Sequence, residues 1–185
     1  MKKLLNTTLD EINFAVVDLE TTGFSSEKDC IIEVAAVRIK NNKIIDHYQS
    51  LIYTDYIPYH ATKVHGIDTE MVEDAPSLNT VRNDFREFTQ GCILVGHNIK
   101  SFDMPFLCNE LDVEENAFCV DTLKLSRFLF SSERTHKLAV VAQRLGIKSD
   151  RYHRALDDTL VTAHVFLEFL KIGNNQFNVL KDIIA

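Results

Sequence analysis

The sequence predicts an α/β domain in which one mixed β-sheet is flanked by α-helices. Three strand-like apolar runs come first, and short apolar runs then alternate with segments of helical periodicity. Consecutive strands favour an antiparallel meander, whereas strands separated by helices favour parallel pairing. With 185 residues, of which 45% are hydrophobic, the chain can bury one good core but not two. A single domain over residues 1–185 is therefore expected.

The meander is predicted from three runs in the first third of the chain. The first run covers residues 14–19, and the next two cover residues 31–40 and 44–53. Asn41 and Asn42 lie in the short polar connection between the second and third runs, and such residues are typical of hairpin turns. These two strands should therefore pair in antiparallel fashion.

Helices and short strands are predicted in alternation after Pro76. Apolar residues recur at helical spacing, and Gly91 and Gly146 are placed to end two of the helices. The predicted helices cover residues 81–88, 102–111, 122–130, 137–145 and 155–170, and the predicted strands cover residues 92–95 and 118–120. An irregular stretch is expected before Pro76, and residues 171–185 are expected to form a loosely attached tail.

Composition excludes several classes of protein. The formal net charge of −7 argues against a broad basic face, the usual footprint of a duplex-binding protein, so any nucleic-acid contact should be local. Asp10 and Glu11 interrupt the N-terminal segment where a signal peptide needs its apolar stretch. No segment approaches the length of a membrane span. A cytoplasmic location is therefore expected.

The stretch FAVVDLETTGF places two acids, Asp18 and Glu20, at the end of a buried strand. Residues two apart on a strand point the same way, so both carboxylates project into one small volume. Such a pair stays ionised when a cation lies between its members, and oxygen ligands select Mg²⁺ or Mn²⁺ over zinc. The alternative is a strand end whose acids are solvated, and this stretch by itself leaves both interpretations open.

A further acid, Asp103, opens a helix in the stretch VGHNIKSFDMPFL. Acids are common in the first turn of a helix because they compensate the helix dipole. The strand end and helix start of an α/β sheet are also the place where ligands collect. His97 and Asn98 add polar groups there, so this stretch is a second candidate part of a site.

The stretch YHRALDDTLVTAHVF places His153 just before the last helix and Asp157 and Asp158 in its first turns. Compensation of the helix dipole is again the alternative explanation for the acids. A histidine five residues before an aspartate can fold over the same pocket without binding the metal, which leaves its imidazole free to take a proton from water. His153 is therefore a candidate general base.

These stretches resemble, in the same order, the three motifs of the DEDDh 3′→5′ exonucleases. The resemblance covers about residues 12–170, and the exonucleases of bacterial DNA polymerase III look most similar within that family. It implies an RNase H-like fold. The matching residues are DLETTG at 18–23, HN and FD within 97–103, H-x-x-x-x-D at 153–158, HGI at 65–67 and DT at 121–122.

The resemblance also implies a two-metal hydrolase that releases nucleoside 5′-monophosphates from DNA 3′ ends. His153 would be the general base, and Asp157 would be a solvated charge. Two Mg²⁺ or Mn²⁺ ions would be held by the four carboxylates of Asp18, Glu20, Asp103 and Asp158. The site for the terminal nucleotide would be lined by Thr21, Phe24, His65, His97 and Asn98.

The second motif departs from the family pattern by one residue. Three residues, Ile99, Lys100 and Ser101, separate HN from FD where the family usually has two. A bulge in the turn would absorb the extra residue and keep Asp103 at the start of its helix. The placement of the histidine and asparagine depends on how this turn is built.

Substrate and partners have alternatives at this stage. Stacking on aromatic side chains such as Phe24 and Phe102 favours single-stranded or frayed DNA ends, although for Phe102 burial in the helix packing is the favoured interpretation. Similar enzymes act on RNA, and a domain of this fold without activity would serve as a binding module. The segment QFNVL at 176–180 loosely resembles a motif that docks on the sliding clamp, so a clamp or a replicative polymerase is a candidate partner.

Overall fold

The computed structural model describes residues 2–148 and 154–184. One sheet contains five strands, which are β1 (Phe14–Thr21), β2 (Ile31–Lys40), β3 (Lys43–Leu51), β4 (Ile93–Gly96) and β5 (Cys119–Asp121). Their order in the sheet is β3-β2-β1-β4-β5. The β1–β2 and β2–β3 pairs are antiparallel, whereas the β1–β4 and β4–β5 pairs are parallel. The predicted mixed sheet is confirmed.

Helices pack on the sheet and connect its strands. They are α1 (Lys2–Leu5), α2 (Tyr59–His65), α3 (Thr69–Val72), α4 (Leu78–Thr89), α5 (Asp103–Glu110), α6 (Thr122–Leu129), α7 (Leu138–Arg144) and α8 (Ala155–Ile172), with short 3₁₀ turns at Leu9–Glu11 and Leu180–Asp182. Helices α2 and α3 lie in the stretch that was expected to be irregular, because each is too short to show an apolar repeat. Within the described residues, no helix combines the length and the apolar character needed to cross a membrane.

The turn between β2 and β3 has the expected hairpin form. Asn41 and Asn42 adopt φ values of 50° and 56°, in the left-handed region that a type I′ turn requires. Asparagine tolerates this region better than most residues, which is why the pair is typical of such turns. The antiparallel pairing of β2 with β3 follows from this local choice.

Strand β1 lies at the centre of the sheet and is covered on both faces. Phe14 packs edge-to-face on Phe166 of α8, with ring centroids 4.9 Å apart. Val17 belongs to the opposite layer, which also contains Phe85 of α4. Two covered faces explain the continuous apolar run at the start of the strand. The acids that follow it therefore mark the edge of the core.

The C-terminal segment is packed into the core, so the prediction of a loosely attached tail is wrong. Phe177, Leu180 and Ile183 are all buried. The backbone N–H of Leu180 donates a hydrogen bond of 3.1 Å to the carbonyl of Thr7, which ties the two ends of the chain together. Sequence spacing did not reveal this attachment because three apolar residues in a polar segment carry no clear period.

Candidate metal centre

Three of the predicted carboxylates meet where β1 leaves the core. Asp18 and Glu20 project from the carboxyl end of β1, and Asp158 reaches them from the first turn of α8. One carboxylate oxygen from each lies within 4.8 Å of the others. Among the described residues, this is the group whose geometry suits a metal ion. Oxygen ligands in this number are the type that Mg²⁺ and Mn²⁺ prefer.

The fourth predicted carboxylate, Asp103, begins α5 and is 3% exposed. It stands outside the group of three, but its charge is the strongest of those that act on Asp18. The extra residue in the second motif has therefore not moved Asp103 from its helix start.

The pKa values of these acids are raised far above those of free carboxyl groups. Burial, followed by the charges of Asp103 and Glu20, raises the pKa of Asp18 well above its usual range. Burial and the charge of Asp158 raise the pKa of Glu20 to about 8. Burial, with the charge of Asp121 as the main repulsion, raises the pKa of Asp103 to about 7. A divalent cation would relieve this repulsion, so the donor set fits the metal that the sequence predicted.

The sequence motifs assigned Asp158, and not its neighbour Asp157, to the metal site. The two residues also differ in the structure. Asp158 is 9% exposed and belongs to the carboxylate group. Asp157 is only half-buried and does not belong to it. The predicted general base, His153, lies outside the described residues.

Two charged residues beside the cluster were missed by the sequence analysis. Glu33 of β2 is completely buried and forms an ion pair of 2.6 Å with Arg154, at the start of α8. The signal that could have revealed Glu33 is a lone acid within the apolar run 31–37. Arg154 gave no comparable signal, since an arginine in a polar segment normally lies in solvent.

A cavity of about 360 Å³ adjoins the carboxylates on the side of α2. Glu20 takes part in both the cavity and the carboxylate group. Three of the residues predicted to contact the terminal nucleotide line it, namely Thr21, Phe24 and His65, together with Phe102. The sequence analysis missed His60 and Val64, which line it from the surface of α2. Both residues lie in α2, which is too short for its helical pattern to be recognised in the sequence.

The two phenylalanines of the cavity have different settings. Phe24 is 85% exposed, so its ring has little protein contact and is available to a ligand. Phe102 is half-buried, and its ring centroid lies 6.3 Å from that of Phe24 and 5.5 Å from that of Phe106. Phe102 therefore connects the exposed ring to the core. An aromatic pair of this kind suits the flat face of a nucleobase.

His65 is held in a fixed orientation at the end of α2. Its ring is 5% exposed, and Nδ1 accepts a hydrogen bond of 3.0 Å from the backbone N–H of Ile67. A neutral ring therefore carries its proton on Nε2. Gly66 ends the helix with a φ of 75°, a conformation that favours glycine and explains the order of HGI in the sequence.

His97 and Asn98 do not line the cavity in the described part of the chain. The two ring nitrogens of His97 contact the hydroxyl of Thr122 at 2.9 Å and the carbonyl oxygen of His136 at 2.8 Å. Burial lowers the pKa of His97, which suits a neutral ring in this network. His97 thereby connects β4 to α6 and to the segment before α7, and its contact with a nucleotide stays a prediction.

The turn before α5 shows how the extra residue of the second motif is accommodated. Asn98 adopts a φ of 70°, and its backbone N–H donates a hydrogen bond of 3.0 Å to Asp121. Ile99 is completely buried. Its side chain lies against Gly96, where no side chain would fit. The extra residue thus becomes part of the core instead of lengthening a loop.

The small residues of DLETTG shape the wall of the cavity. The hydroxyl of Thr21 donates a hydrogen bond of 2.6 Å to the carbonyl of Gly23. A side chain at Gly23 would collide with the carboxylate of Asp29. That carboxylate accepts a hydrogen bond of 2.9 Å from the backbone N–H of Ser25. The loop that carries Phe24 is therefore held from both sides.

Comparison with known proteins gives consistent results at the level of sequence. Residues 15–166 match the family model described as exonuclease. The chain is 39% identical over 171 residues to DNA polymerase III PolC-type of Bacillus subtilis, a match that covers 88% of this chain and 12% of that protein. It is also 39% identical over 166 residues to DNA polymerase III PolC-type of Caldanaerobacter subterraneus, covering 87% and 12%. The chain thus spans about an eighth of these relatives.

Solved structures with the same fold are nucleases. Exonuclease X in complex with 5′ overhanging duplex DNA has a TM-score of 0.72 and 25% identity, over 87% of this chain and 93% of that chain. The nuclease domain of 3′hExo, described as a DEDDh family member bound to rAMP, has a TM-score of 0.79 and 18% identity, over 97% and 98%. Because the identity to 3′hExo is only 18%, that similarity shows a shared fold and no more.

Proposed function

The chain belongs to the exonuclease family, and from this premise we propose that it hydrolyses DNA from 3′ ends, one nucleoside 5′-monophosphate at a time, with divalent metal ions. The observation that carries the proposal is the meeting of Asp18, Glu20 and Asp158 within 4.8 Å beside a cavity of about 360 Å³. Cavities of about 300 Å³ and above are typical of small-molecule sites, so this one suits a terminal nucleotide.

The metal ligands in this proposal are Asp18, Glu20, Asp103 and Asp158. Ions held by such carboxylates lower the pKa of an attacking water and stabilise the leaving 3′ oxygen. Glu20 belongs to both the metal site and the cavity wall, which favours placing the scissile phosphate between them. In this proposal His153 takes the proton of the water, a role that rests on its motif alone.

The cavity residues suggest how the terminal nucleotide is oriented. The exposed ring of Phe24 offers a stacking surface for the base, and the buried ring of His65 forms part of the cavity wall. Thr21 is engaged with Gly23 and shapes the wall by its methyl group. Stacking tolerates any base, so this arrangement fits hydrolysis without sequence preference.

DNA is the favoured substrate, and replication proofreading is the favoured context, because the similar PolC-type proteins are named as DNA polymerases. RNA is the second candidate, since one solved structure of this fold holds rAMP. A replicative polymerase remains a proposed partner. Docking on a sliding clamp through residues 176–180 is not favoured, because Phe177 and Leu180 are buried and would have to leave the core.

The proposal is tested by incubating the protein with a 5′-labelled single-stranded DNA and a matched RNA, in Mg²⁺, in Mn²⁺ and in EDTA. We expect shortening from the 3′ end that EDTA abolishes and that Asp158→Asn reduces at least about a hundredfold. Asp157→Asn is the matched control and should retain activity. The ratio of DNA to RNA hydrolysis decides between the two substrates. Binding of either nucleic acid without shortening under any metal would instead indicate a non-catalytic module.

A further inference from the structure

Glu33 is a completely buried carboxylate for which the proposed reaction has no use. It accepts hydrogen bonds from Gln49 Nε2 at 2.7 Å, from Arg154 Nη2 at 2.6 Å and from the backbone N–H of Ala155 at 3.0 Å. Burial opposes its ionisation, but these contacts hold the pKa of Glu33 below its usual value. The Glu33 side chain is therefore a negative charge that these hydrogen-bond donors hold in one position.

The start of α8 depends on this carboxylate. Arg154 is the residue before the helix, and its own side chain makes no capping hydrogen bond. The buried N–H of Ala155, which the helix cannot satisfy, instead donates to Glu33, which lies 122 residues away in the sequence. Glu33 thus holds both the backbone and the guanidinium at the point where the helix begins.

The turn that Glu33 holds is the turn that presents Asp158. The backbone N–H of Asp158 donates a hydrogen bond of 3.0 Å to the carbonyl of Arg154. The two residues therefore move together as one turn of helix. A displacement of Arg154 along the helix axis would carry the carboxylate of Asp158 away from Asp18.

Glu33 is also a neighbour of β1, the strand that carries the other acids of the metal site. Glu33 lies directly across from Glu20 in the β1–β2 ladder, and directly opposed residues share one face of a sheet. The charge of Glu33 acts on Glu20 as a repulsion, and the charge of Arg154 offsets it. The pair therefore joins β2, the ladder partner of the strand that carries two of the acids, to the helix that carries the third.

We propose that the ion pair between Glu33 and Arg154 sets the distance between β1 and the first turn of α8, and thereby gives the carboxylates of Glu20 and Asp158 the spacing that a divalent ion requires. Both are positioning residues and touch neither metal nor substrate. The inference rests on the proposed function, because it assigns a support to the same metal site. An ion pair that served the fold alone would leave metal affinity unchanged when it is weakened.

The test compares Arg154→Lys, which keeps the charge but loses the planar fork, with Glu33→Gln, which keeps the shape but loses the charge. The control is Arg144→Lys, which weakens the ion pair of 2.9 Å between Arg144 and Glu133. Mn²⁺ affinity is measured by titration calorimetry, and thermal unfolding is measured in EDTA. We expect the Mn²⁺ dissociation constant to rise about tenfold in both test variants and to stay unchanged in the control.

A second readout separates positioning from simple loss of structure. Excess Mn²⁺ should restore the kcat of Arg154→Lys on single-stranded DNA, because the site is misplaced and not destroyed. A wild-type Mn²⁺ affinity in Arg154→Lys or Glu33→Gln, with a drop in Tm like that of the control, would overturn the inference and leave the proposed function standing. If the wild-type protein itself bound no Mn²⁺, the proposed function would fail, and the inference with it.

Discussion

The raised pKa of Glu20 shows that the acid cluster is unfavourable when it holds no cation. Burial and the charges of Asp158 and Glu33 raise its pKa from 4.5 to about 8 in the metal-free protein. Between these values the folded protein binds a proton that the unfolded chain has released. The cluster is therefore strained electrostatically when it holds no cation, which is the expected property of a site built to bind one.

We expect the free energy of unfolding of the metal-free protein to fall as the pH rises from about 4.5 to about 8, because the raised pKa of Glu20 favours the protonated folded state. Its contribution is complete below the unfolded pKa and is lost once the pH passes the folded pKa. Urea unfolding in EDTA at several pH values measures this. Glu20→Gln should flatten the dependence, whereas Glu87→Gln, on the exposed face of α4, should not. An unchanged profile in Glu20→Gln would contradict the expectation.

Gly23 shows how a single residue controls the loop that carries Phe24. A methyl group there would collide with the carboxylate of Asp29, which also holds the N–H of Ser25. We expect Gly23→Ala to displace the loop and to raise KM for single-stranded DNA about tenfold, with a stability loss of about 1–3 kcal/mol. Kinetics on the single variant and on Gly23→Ala with Asp29→Ala measure the effect. If the collision with Asp29 is the cause, the effects of the two substitutions on KM are non-additive. Asp29→Ala then partly restores the KM that Gly23→Ala has raised.

At the scale of elements, the C-terminal segment 173–183 belongs to the domain core. The ring of Phe177 is 7% exposed and lies 5.9 Å, between centroids, from the ring of Phe128. A side chain at Gly173 would collide with the same ring, so the glycine after α8 lets the chain fold back. The segment therefore contributes to stability, and a clamp could bind Phe177 only after the segment leaves the core.

We expect Phe177→Ala to lower the free energy of unfolding by about 3 kcal/mol, because it leaves a cavity under α8. Gln176→Ala, at an exposed neighbouring position, should change it by no more than about 0.5 kcal/mol. Equilibrium unfolding in urea compares the two variants with the wild type. A Phe177→Ala variant as stable as the wild type would indicate that the tail leaves the core in solution and is free to dock elsewhere.

At the scale of the whole molecule, the net charge of −7 limits how the protein holds a nucleic acid. Phosphate contacts by lysine and arginine make affinity depend steeply on salt, and in this chain acidic residues outnumber basic ones by 27 to 20, which opposes a continuous basic surface. Recognition through the metal site and the aromatic cavity is compatible with an acidic protein, since the cations supply the local positive charge.

We expect KM for single-stranded DNA to rise only weakly with salt, with a slope equivalent to about one or two phosphates on a logarithmic plot. The measurement uses KCl from about 50 to about 200 mM at constant free Mg²⁺. An aryl ester of thymidine 5′-monophosphate, which has no further backbone, serves as the control substrate and should show no slope. A slope equivalent to several phosphates would contradict this expectation and indicate basic residues along the path of the bound strand.

The sequence by itself determined the features that depend on neighbouring residues. The left-handed pair Asn41 and Asn42 specified the hairpin, and the apolar run before Asp18 specified a strand with two covered faces. The order of the three motifs indicated the family, because each motif pairs a local backbone geometry with a reactive side chain. The mixed sheet followed from the spacing of strands and helices.

Only the tertiary structure decided which distant residues meet. Asp158 lies 140 positions from Asp18 in the sequence, and their meeting was expected from the family motifs and not from any periodicity. The support that Glu33 gives to Arg154, the burial of Phe177 and the contact of His97 with His136 were not expected from the sequence. The physical reason is that hydrophobic patterning specifies which face of each element is buried, whereas the partner on that face is selected by packing of the complete chain.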